Sequence, residues 1–304
     1  MQSQWKGVVS VLGAATFWGL SATWAQFLQQ HGVSTLLIVQ TRVTIPFVIL
    51  FAYFALARRE VLRFRRTDWW KFLLLGAVGI AGANFTYYFT MKVSTVATAI
   101  LLQYLAPLAV VGYGIVSKEE QLSPRAIIAA VVSLGGCFLA VGGAGDAAVA
   151  ISPVALGMGL LAMATFAFMT VYSRHLLARY SSWTVVVYGL AGAALLWVFV
   201  RPPGELAREQ HDAMTWFALG GLSLTSVLIP YVFYFGGLRR ISASRTIITS
   251  TMEPIVAIVS AAFLLGETLD GWRTLGAVAV VVAIVVVQRA PAAPLPSSGA
   301  TDAP

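Results

Sequence analysis

The stretch RTIITSTMEPIVAIVSAAFLLGE, from Arg245 to Glu267, places an acid and a proline inside an otherwise apolar run. An earlier stretch, TAILLQYLAPLAVVGYGIVSKEE from Thr98 to Glu120, aligns with it without a gap. The prolines of the two stretches, Pro107 and Pro254, are 147 positions apart, and so are their final glutamates. Landmarks that recur at one fixed spacing indicate an internal repeat, so we predict one unit of about 145 residues that occurs twice.

The composition is typical of a membrane protein. Hydrophobic residues make up 59% of the 304 positions and charged residues 11%, whereas a soluble domain has roughly 25% charged residues. The net charge of +8 does not indicate nucleic-acid binding, because the basic residues lie between apolar runs and do not cluster on one soluble surface. We therefore predict no nucleic-acid partner.

Ten windows of about 20 apolar residues are bounded by charged or turn-forming residues, and each is long enough to cross the hydrocarbon core. The predicted fold class is an all-α multipass membrane protein with ten transmembrane helices. The ten predicted spans lie near 7–28, 34–57, 70–90, 95–116, 125–144, 153–176, 183–200, 214–236, 245–265 and 271–288. The segment 290–304 is rich in Pro, Ala and Ser, which predicts a disordered cytoplasmic tail.

Lysine and arginine residues are distributed unevenly between the spans. If the N-terminus is cytoplasmic, the inner segments hold 15 of them and the outer segments hold four. Cytoplasmic loops carry the excess of positive charge, so we predict a bacterial inner-membrane protein with both termini in the cytoplasm. Five spans per repeat is an odd number, so the second repeat, 148–289, is expected to lie inverted relative to the first, 1–147. Inverted repeats are typical of secondary transporters, whose solute sites lie near the midplane between the halves.

Two ionisable residues lie deep inside predicted spans, where a charge is costly and usually functional. Glu253 has three interpretations: it bonds backbone groups that Pro254 leaves unpaired, it couples transport to protons or to a conformational change, or it contacts the solute. Arg42 lies eight residues into the second span, too deep to reach the outer interface comfortably. It either anchors the protein through a salt bridge or backbone bond, or binds an anionic group of the solute.

Pro107 and Pro254 interrupt the fourth and ninth spans at matching positions and remove helix hydrogen bonds there. Interrupted helices at corresponding positions of two repeats point to the central site of a transporter. Nearby aromatic and polar residues suit an amphipathic solute, although Tyr and Trp also gather at membrane interfaces. The candidate solute-binding residues are Trp18, Asn84, Tyr88, Gln103, Tyr104, Tyr231, Tyr234 and Thr249.

These features resemble a known family. Phe-Trp-Gly at 17–19, Arg42, and Glu253–Pro254 running to Leu-Leu-Gly-Glu at 264–267 are similar to the EamA-type branch of the drug/metabolite transporter superfamily. The resemblance implies ten spans in two five-span repeats. It also implies a carrier that moves small organic solutes, often outward, including amino acids and other metabolites.

Three other classes of protein are alternatives. A channel would need rings of charged or carbonyl groups along a pore, and an enzyme would need a paired acid and base or a metal cluster within the spans. A receptor subunit would usually have a soluble domain or a long loop. The sequence has none of these patterns, so we predict a secondary transporter that works as an exporter, is not an enzyme and uses no metal or cofactor. Its expected partners are a small solute, membrane lipids and protons as the coupling ion.

Overall fold

The computed structural model describes residues 2–118, 123–141, 151–206, 208–265 and 271–289. Within these ranges the protein is helical and contains no strand. The glutamates that end the two aligned stretches, Glu120 and Glu267, and the predicted tail 290–304 lie outside the described residues.

The described residues form eleven helices and two short helical turns, Arg59–Leu62 after the second helix and Pro203–Leu206 between the seventh and the eighth. The N-terminal half contains α1 to α5 and the C-terminal half contains α6 to α11. The helices are α1 (Gln2–Gln30), α2 (Thr35–Ala57), α3 (Arg66–Val93), α4 (Val96–Ser117), α5 (Pro124–Ala140), α6 (Pro153–Leu177), α7 (Ser182–Val200), α8 (Ala213–Leu238), α9 (Ala243–Ser250), α10 (Met252–Leu265) and α11 (Gly271–Gln288).

Eight of these helices are long and apolar enough to cross a membrane, so the prediction of a multipass membrane protein is confirmed. Two predicted spans have a different form. The fifth is α5, an apolar helix of 17 residues that stops short of its predicted end at 144. The ninth is divided between α9 and α10. The count of ten spans stays a prediction.

Several local features recur at the spacing of 147 found in the sequence. Ser34 and Ser181 each precede a helix and accept a hydrogen bond from the backbone N–H three residues later. Thr95 and Ser242 do the same at the starts of α4 and α9. An N-terminal cap of this kind stabilises a helix by about 1 kcal/mol, because it satisfies one of the N–H groups that lack a partner in the first turn.

The helix interruptions follow the same spacing. The regular helix in α4 stops at Gln103 and resumes at Ala106, one residue before Pro107. In the C-terminal half it stops at Ser250 and resumes at Met252, just before Pro254. The predicted breaks at the two prolines are therefore present. Helix α3 contains a π-helical segment at Leu75–Ala81, and α8 contains one at Leu224–Leu228. When the first segment is shifted by 147 positions along the sequence, it overlaps the second.

The two halves interleave. Helix α1 packs on α8 and α10 of the C-terminal half, while α6 packs on α3 and α4 of the N-terminal half. Helix α2 packs on α7, and α5 packs along α11. The buried core therefore lies between the halves, and the polar side chains of α1 to α4 meet those of α8 to α10 there.

Candidate functional site

A small cavity lies where α1 to α4 meet α6, α8 and α10. Its volume is about 60 Å³, far below the roughly 300–1,000 Å³ of pockets that hold small molecules. Aromatic rings, hydroxyl and amide groups, one guanidinium and one carboxyl surround it. The lining residues are Trp18, Ser21, Ala22, Arg42, Ala83, Asn84, Tyr87, Tyr88, Gln103, Phe166, Met169, Tyr231 and Glu253.

Arg42 joins the two halves at this cavity. Its Nε donates to Ser226 Oγ at 2.7 Å and its Nη1 donates to Asn84 Oδ1 at 2.8 Å. Its Nη2 donates to the Ser226 carbonyl at 3.2 Å, and the guanidinium carbon lies 4.4 Å from the centre of the Tyr88 ring. Because all three nitrogens bond to protein groups in a fork that lysine cannot reproduce, the geometry is that of an anchor.

The Ser226 carbonyl is available to Arg42 because of a proline. Pro230 has no N–H, so the helix bond that residue 230 would donate to the carbonyl four residues earlier is missing. That carbonyl instead accepts from Arg42 and from Trp18 Nε1, at 3.0 Å. Two side chains of the N-terminal half thus satisfy a backbone group that a proline exposes in the C-terminal half.

A second carbonyl that lacks its helix bond because of a proline is also satisfied by a side chain of the N-terminal half. Pro254 removes the helix bond to the carbonyl of Ser250, and the Tyr104 hydroxyl donates to this carbonyl at 2.8 Å. The prediction had allowed Glu253 to satisfy the backbone groups freed by Pro254. In the structure, the group that does so at Ser250 is Tyr104, from the N-terminal half.

The carboxyl group of Glu253 also interacts with the Tyr104 hydroxyl. Its Oε2 lies 2.7 Å from the Tyr104 oxygen, so one hydroxyl proton faces two acceptors, the carboxyl and the Ser250 carbonyl. All three groups are satisfied when Glu253 carries a proton, since the acid then donates to Tyr104 and Tyr104 donates to Ser250. The arrangement therefore gives the protonated acid a complete set of partners and leaves the carboxylate competing with the carbonyl.

Arg42 and Glu253 line the same cavity, and no ion pair between them occurs among the described residues. Both are buried, with 4% and 7% of their surfaces exposed. The guanidinium and the carboxyl thus face the same cavity without bonding to each other.

Two further polar groups in the lining lack partners among the described residues. The Tyr87 hydroxyl is buried and makes no hydrogen bond. The half-buried Gln103 amide makes none either, although it has both donors and acceptors. A buried polar group costs free energy unless it is bonded, so the unbonded Tyr87 hydroxyl carries a cost that a partner in the cavity would remove.

The Phe-Trp-Gly segment of α1 contributes in two ways. Trp18 lies against Tyr231 and Tyr234, with ring centres 6.1 and 5.2 Å away. At Gly19 an added Cβ would lie 2.7 Å from the Glu253 carbonyl oxygen. A glycine is required there because the backbone of α1 approaches that of α10 directly beside Glu253.

The candidate residues fall into two groups. Those that line the cavity are Trp18, Arg42, Asn84, Tyr88, Gln103, Tyr231 and Glu253. Those that are buried in the surrounding packing are Tyr104, Pro107, Tyr234, Thr249 and Pro254.

The residues of the second group do not line the cavity, although Tyr104 and Tyr234 contact residues that do. Tyr104 bonds to Glu253, while the Tyr234 hydroxyl lies 2.6 Å from Thr170 Oγ1. Thr249 donates to the Arg245 carbonyl and accepts from Gln288, outside the lining. Solute binding by Tyr104, Tyr234 and Thr249 therefore has no direct geometric support in this conformation.

Sequence reasoning missed Ser226, which supplies two of the three Arg42 hydrogen bonds. A serine in an apolar span resembles a small packing residue, and its position four residues before Pro230 was the one available signal. Asn84 and Tyr231, which are 147 positions apart, also meet directly, since Asn84 Nδ2 donates to the Tyr231 hydroxyl at 2.8 Å.

No group of three His, Cys, Asp or Glu side chains is placed to hold a metal ion within the part of the chain that the structure describes. The groups around the cavity offer hydrogen bonds, charge and contact with ring faces.

Comparison with known proteins gives consistent results. An uncharacterized inner membrane transporter, YicL of Salmonella typhimurium strain LT2, is 27% identical over 296 residues, which cover 94% of this chain and 96% of YicL. The threonine/homoserine exporter RhtA of Escherichia coli K12 is 29% identical over 244 residues, which cover 80% of this chain and 78% of RhtA. A protein crystal structure with 21% identity has the same fold, with a TM-score of 0.73 over 94% of this chain and 97% of its own.

The model of the EamA-like transporter family matches the chain twice, at residues 5–142 and at residues 154–289. Together the two matches cover nearly all of the helical part. The resemblance inferred from the sequence motifs is thereby confirmed, and the chain belongs to the EamA-like transporter family.

Proposed function

We propose that this protein is a secondary carrier that exports small amphipathic organic metabolites, such as amino acids, by alternating access around the central cavity. The observation that carries the proposal is the presence of a guanidinium, a carboxyl and aromatic ring faces around one cavity between the halves. Such a cavity complements a zwitterion with an apolar side chain, because opposite charges and a ring surface face it at once.

Individual groups have distinct expected roles. Arg42 holds the halves together and offers its remaining N–H groups to a carboxylate, while Glu253 accepts an amine or a proton. Gln103 both donates and accepts, and Tyr87 offers a free hydroxyl. The family membership supports transport, and a relative named as a threonine/homoserine exporter supports amino acids as the solute class.

Ten spans in two inverted five-helix repeats, 1–147 and 148–289, are part of the proposal. The caps, proline breaks and π-helical segments that recur 147 residues apart support it, as do the two separate family matches. With five spans in each repeat, the second is inverted, which places the cavity near the membrane midplane.

The small cavity volume supports an occluded conformation in which solute does not yet fit. Opening toward either side requires α1, α2 and α4 to separate from α8 to α10 on that side. The bonds at Ser226 and Ser250 lie across this boundary, so they are expected to hold the halves together while one side opens.

The proposal is tested by flux measurements with the purified protein in lipid vesicles. Labelled threonine, homoserine and an aromatic amino acid are each expected to cross protein-containing vesicles faster than empty ones, with saturation and with acceleration by a pH gradient. Equal flux with and without protein for all three would contradict amino acids as the solute class.

The variant Gln103→Ala tests whether the solute binds in the central cavity. Gln103→Ala is expected to raise the half-saturation constant roughly two- to twelvefold, the value of one lost hydrogen bond of about 0.5–1.5 kcal/mol. The matched control is Gln30→Ala at the exposed end of α1, which should leave the constant unchanged. An unchanged constant in Gln103→Ala, at equal membrane levels, would remove Gln103 from the solute site.

The predicted orientation in the membrane can be tested by cysteine labelling. A cysteine at Gln210 should react with a membrane-impermeant thiol reagent from outside the cell, and a cysteine at Thr67 should react only after the membrane is opened. Both positions are exposed, whereas the native Cys137 is buried and will not contribute. Labelling of Thr67→Cys from outside would reverse the topology and place both termini outside.

A further inference from the structure

A second and larger cavity lies away from the central one, as a groove between α1, α7 and α8. Its volume is about 490 Å³. Apolar side chains form one part of its wall. The other part, where α8 ends, is basic. The lining residues are Ser10, Ser182, Trp183, Val186, Val232, Phe233, Gly236, Arg239 and Arg240.

One arginine at the basic end does not bond to the carbonyl groups that end α8. The carbonyls at the end of α8 are already satisfied, since Arg174 Nη1 donates to the Leu238 carbonyl and Arg240 Nη1 donates to the Gly236 carbonyl at 2.6 Å. The Arg239 side chain is exposed and makes no hydrogen bond or ion pair with any residue that the structure describes. Among the described residues, no acidic side chain lines the groove, so its basic end carries an excess of positive charge.

The apolar part of the groove runs along α8, before the arginines that follow this helix. Val232 lies seven residues before Arg239, which corresponds to about 10 Å along the helix. Phe233 and Trp183 are each 39% exposed on this surface. A tryptophan beside arginines at a helix end is typical of the headgroup region, and the residues deeper in the groove then face the acyl chains.

We propose that this groove binds one anionic phospholipid, with its phosphate at Arg239 and Arg240, Trp183 at the level of the headgroup, and an acyl chain along Val232 and Phe233. Charge complementarity selects the anionic headgroup, and the apolar wall beneath it distinguishes a lipid from a free anion. Basic pockets between membrane helices bind such headgroups. The inference is independent of the solute that the central cavity accepts.

Native mass spectrometry of the purified chain tests the proposal. The protein is titrated with phosphatidylglycerol and, separately, with phosphatidylcholine of the same acyl chains. Wild type should bind the first phosphatidylglycerol more tightly than the first phosphatidylcholine. Each arginine near an anionic headgroup contributes roughly fivefold, so the double variant Arg239→Gln, Arg240→Gln should lose about 25-fold of this preference.

The matched control is the double variant Arg58→Gln, Arg59→Gln, which alters two exposed arginines just after α2 and should keep the preference. Gly236→Leu tests the apolar part. An added Cβ there meets nothing closer than 3.4 Å, so the variant should fold while its side chain fills the groove and lowers the binding of both lipids.

Three results would overturn the lipid site. One is an undiminished phosphatidylglycerol preference in the Arg239, Arg240 variant, with monodisperse protein. Another is unchanged lipid binding in Gly236→Leu. The third is displacement of phosphatidylglycerol by inorganic phosphate at the same concentration, which would identify a site for free anions.

Discussion

Replacing Glu253 by glutamine is expected to abolish solute movement driven by a pH gradient and to leave solute exchange largely intact. Glutamine has the shape of the protonated acid but cannot lose or take up a proton. Its amide N–H can donate to Tyr104, and Tyr104 can then donate to the Ser250 carbonyl as before. The hydrogen-bonded structure should therefore survive while coupling to protons is lost.

The measurement compares gradient-driven uptake with exchange between equal solute concentrations in the same vesicles. The matched control is Glu60→Gln, at an exposed glutamate just after α2, and it should change neither rate. Gradient-driven transport that persists in Glu253→Gln would remove Glu253 from coupling. Loss of folded protein from the membrane would instead assign Glu253 a structural role.

Replacing Arg42 by alanine is expected to have the largest effect on stability. The change leaves Ser226 Oγ and Asn84 Oδ1 without the donor that Arg42 supplies, in a region where few waters are available. Each buried group without a partner costs about 1–3 kcal/mol, so we expect a loss of about 3 kcal/mol or more in the free energy of unfolding. Arg42→Lys keeps the charge but not the fork, and should recover only part of this loss.

Thermal unfolding of the purified variants, followed by size-exclusion chromatography, measures this effect. Arg58→Ala, at an exposed arginine, serves as the control and should unfold like wild type. Transport kinetics then separate the two roles considered for Arg42. An anchor lowers the maximal rate and the stability together, whereas a residue that acts only on the solute raises the half-saturation constant and leaves unfolding unchanged.

The proline breaks were predictable because they depend on local features of the sequence. A proline removes a helix hydrogen bond wherever it occurs, so Pro107 and Pro254 mark the interruptions directly. The membrane fold follows from the apolar runs in the same way. The capping residues Ser34 and Ser181 are also 147 positions apart, and they lie outside the two aligned stretches, 98–120 and 245–267.

The composition of the site was only partly predictable, because it depends on which helix face meets another helix. Tyr88 and Tyr234 look equivalent in the sequence, yet Tyr88 lines the cavity and Tyr234 is buried against Thr170 and Trp18. Ser226 acquires its role from Pro230, since the exposed carbonyl matters only when Arg42 of another helix reaches it. Contacts of this kind arise from tertiary packing between the halves, which sequence periodicity does not specify.

Counterflow in lipid vesicles tests the central claim, a carrier with alternating access, most directly. Vesicles are loaded with unlabelled threonine at high concentration, diluted into a trace of labelled threonine, and followed without any pH gradient. A carrier whose single cavity faces one side at a time should accumulate label transiently above equilibrium, because the outward flow of unlabelled solute returns the site to the outside. Label that rises only to equilibrium, at a rate independent of the internal solute, would indicate a channel and would contradict alternating access.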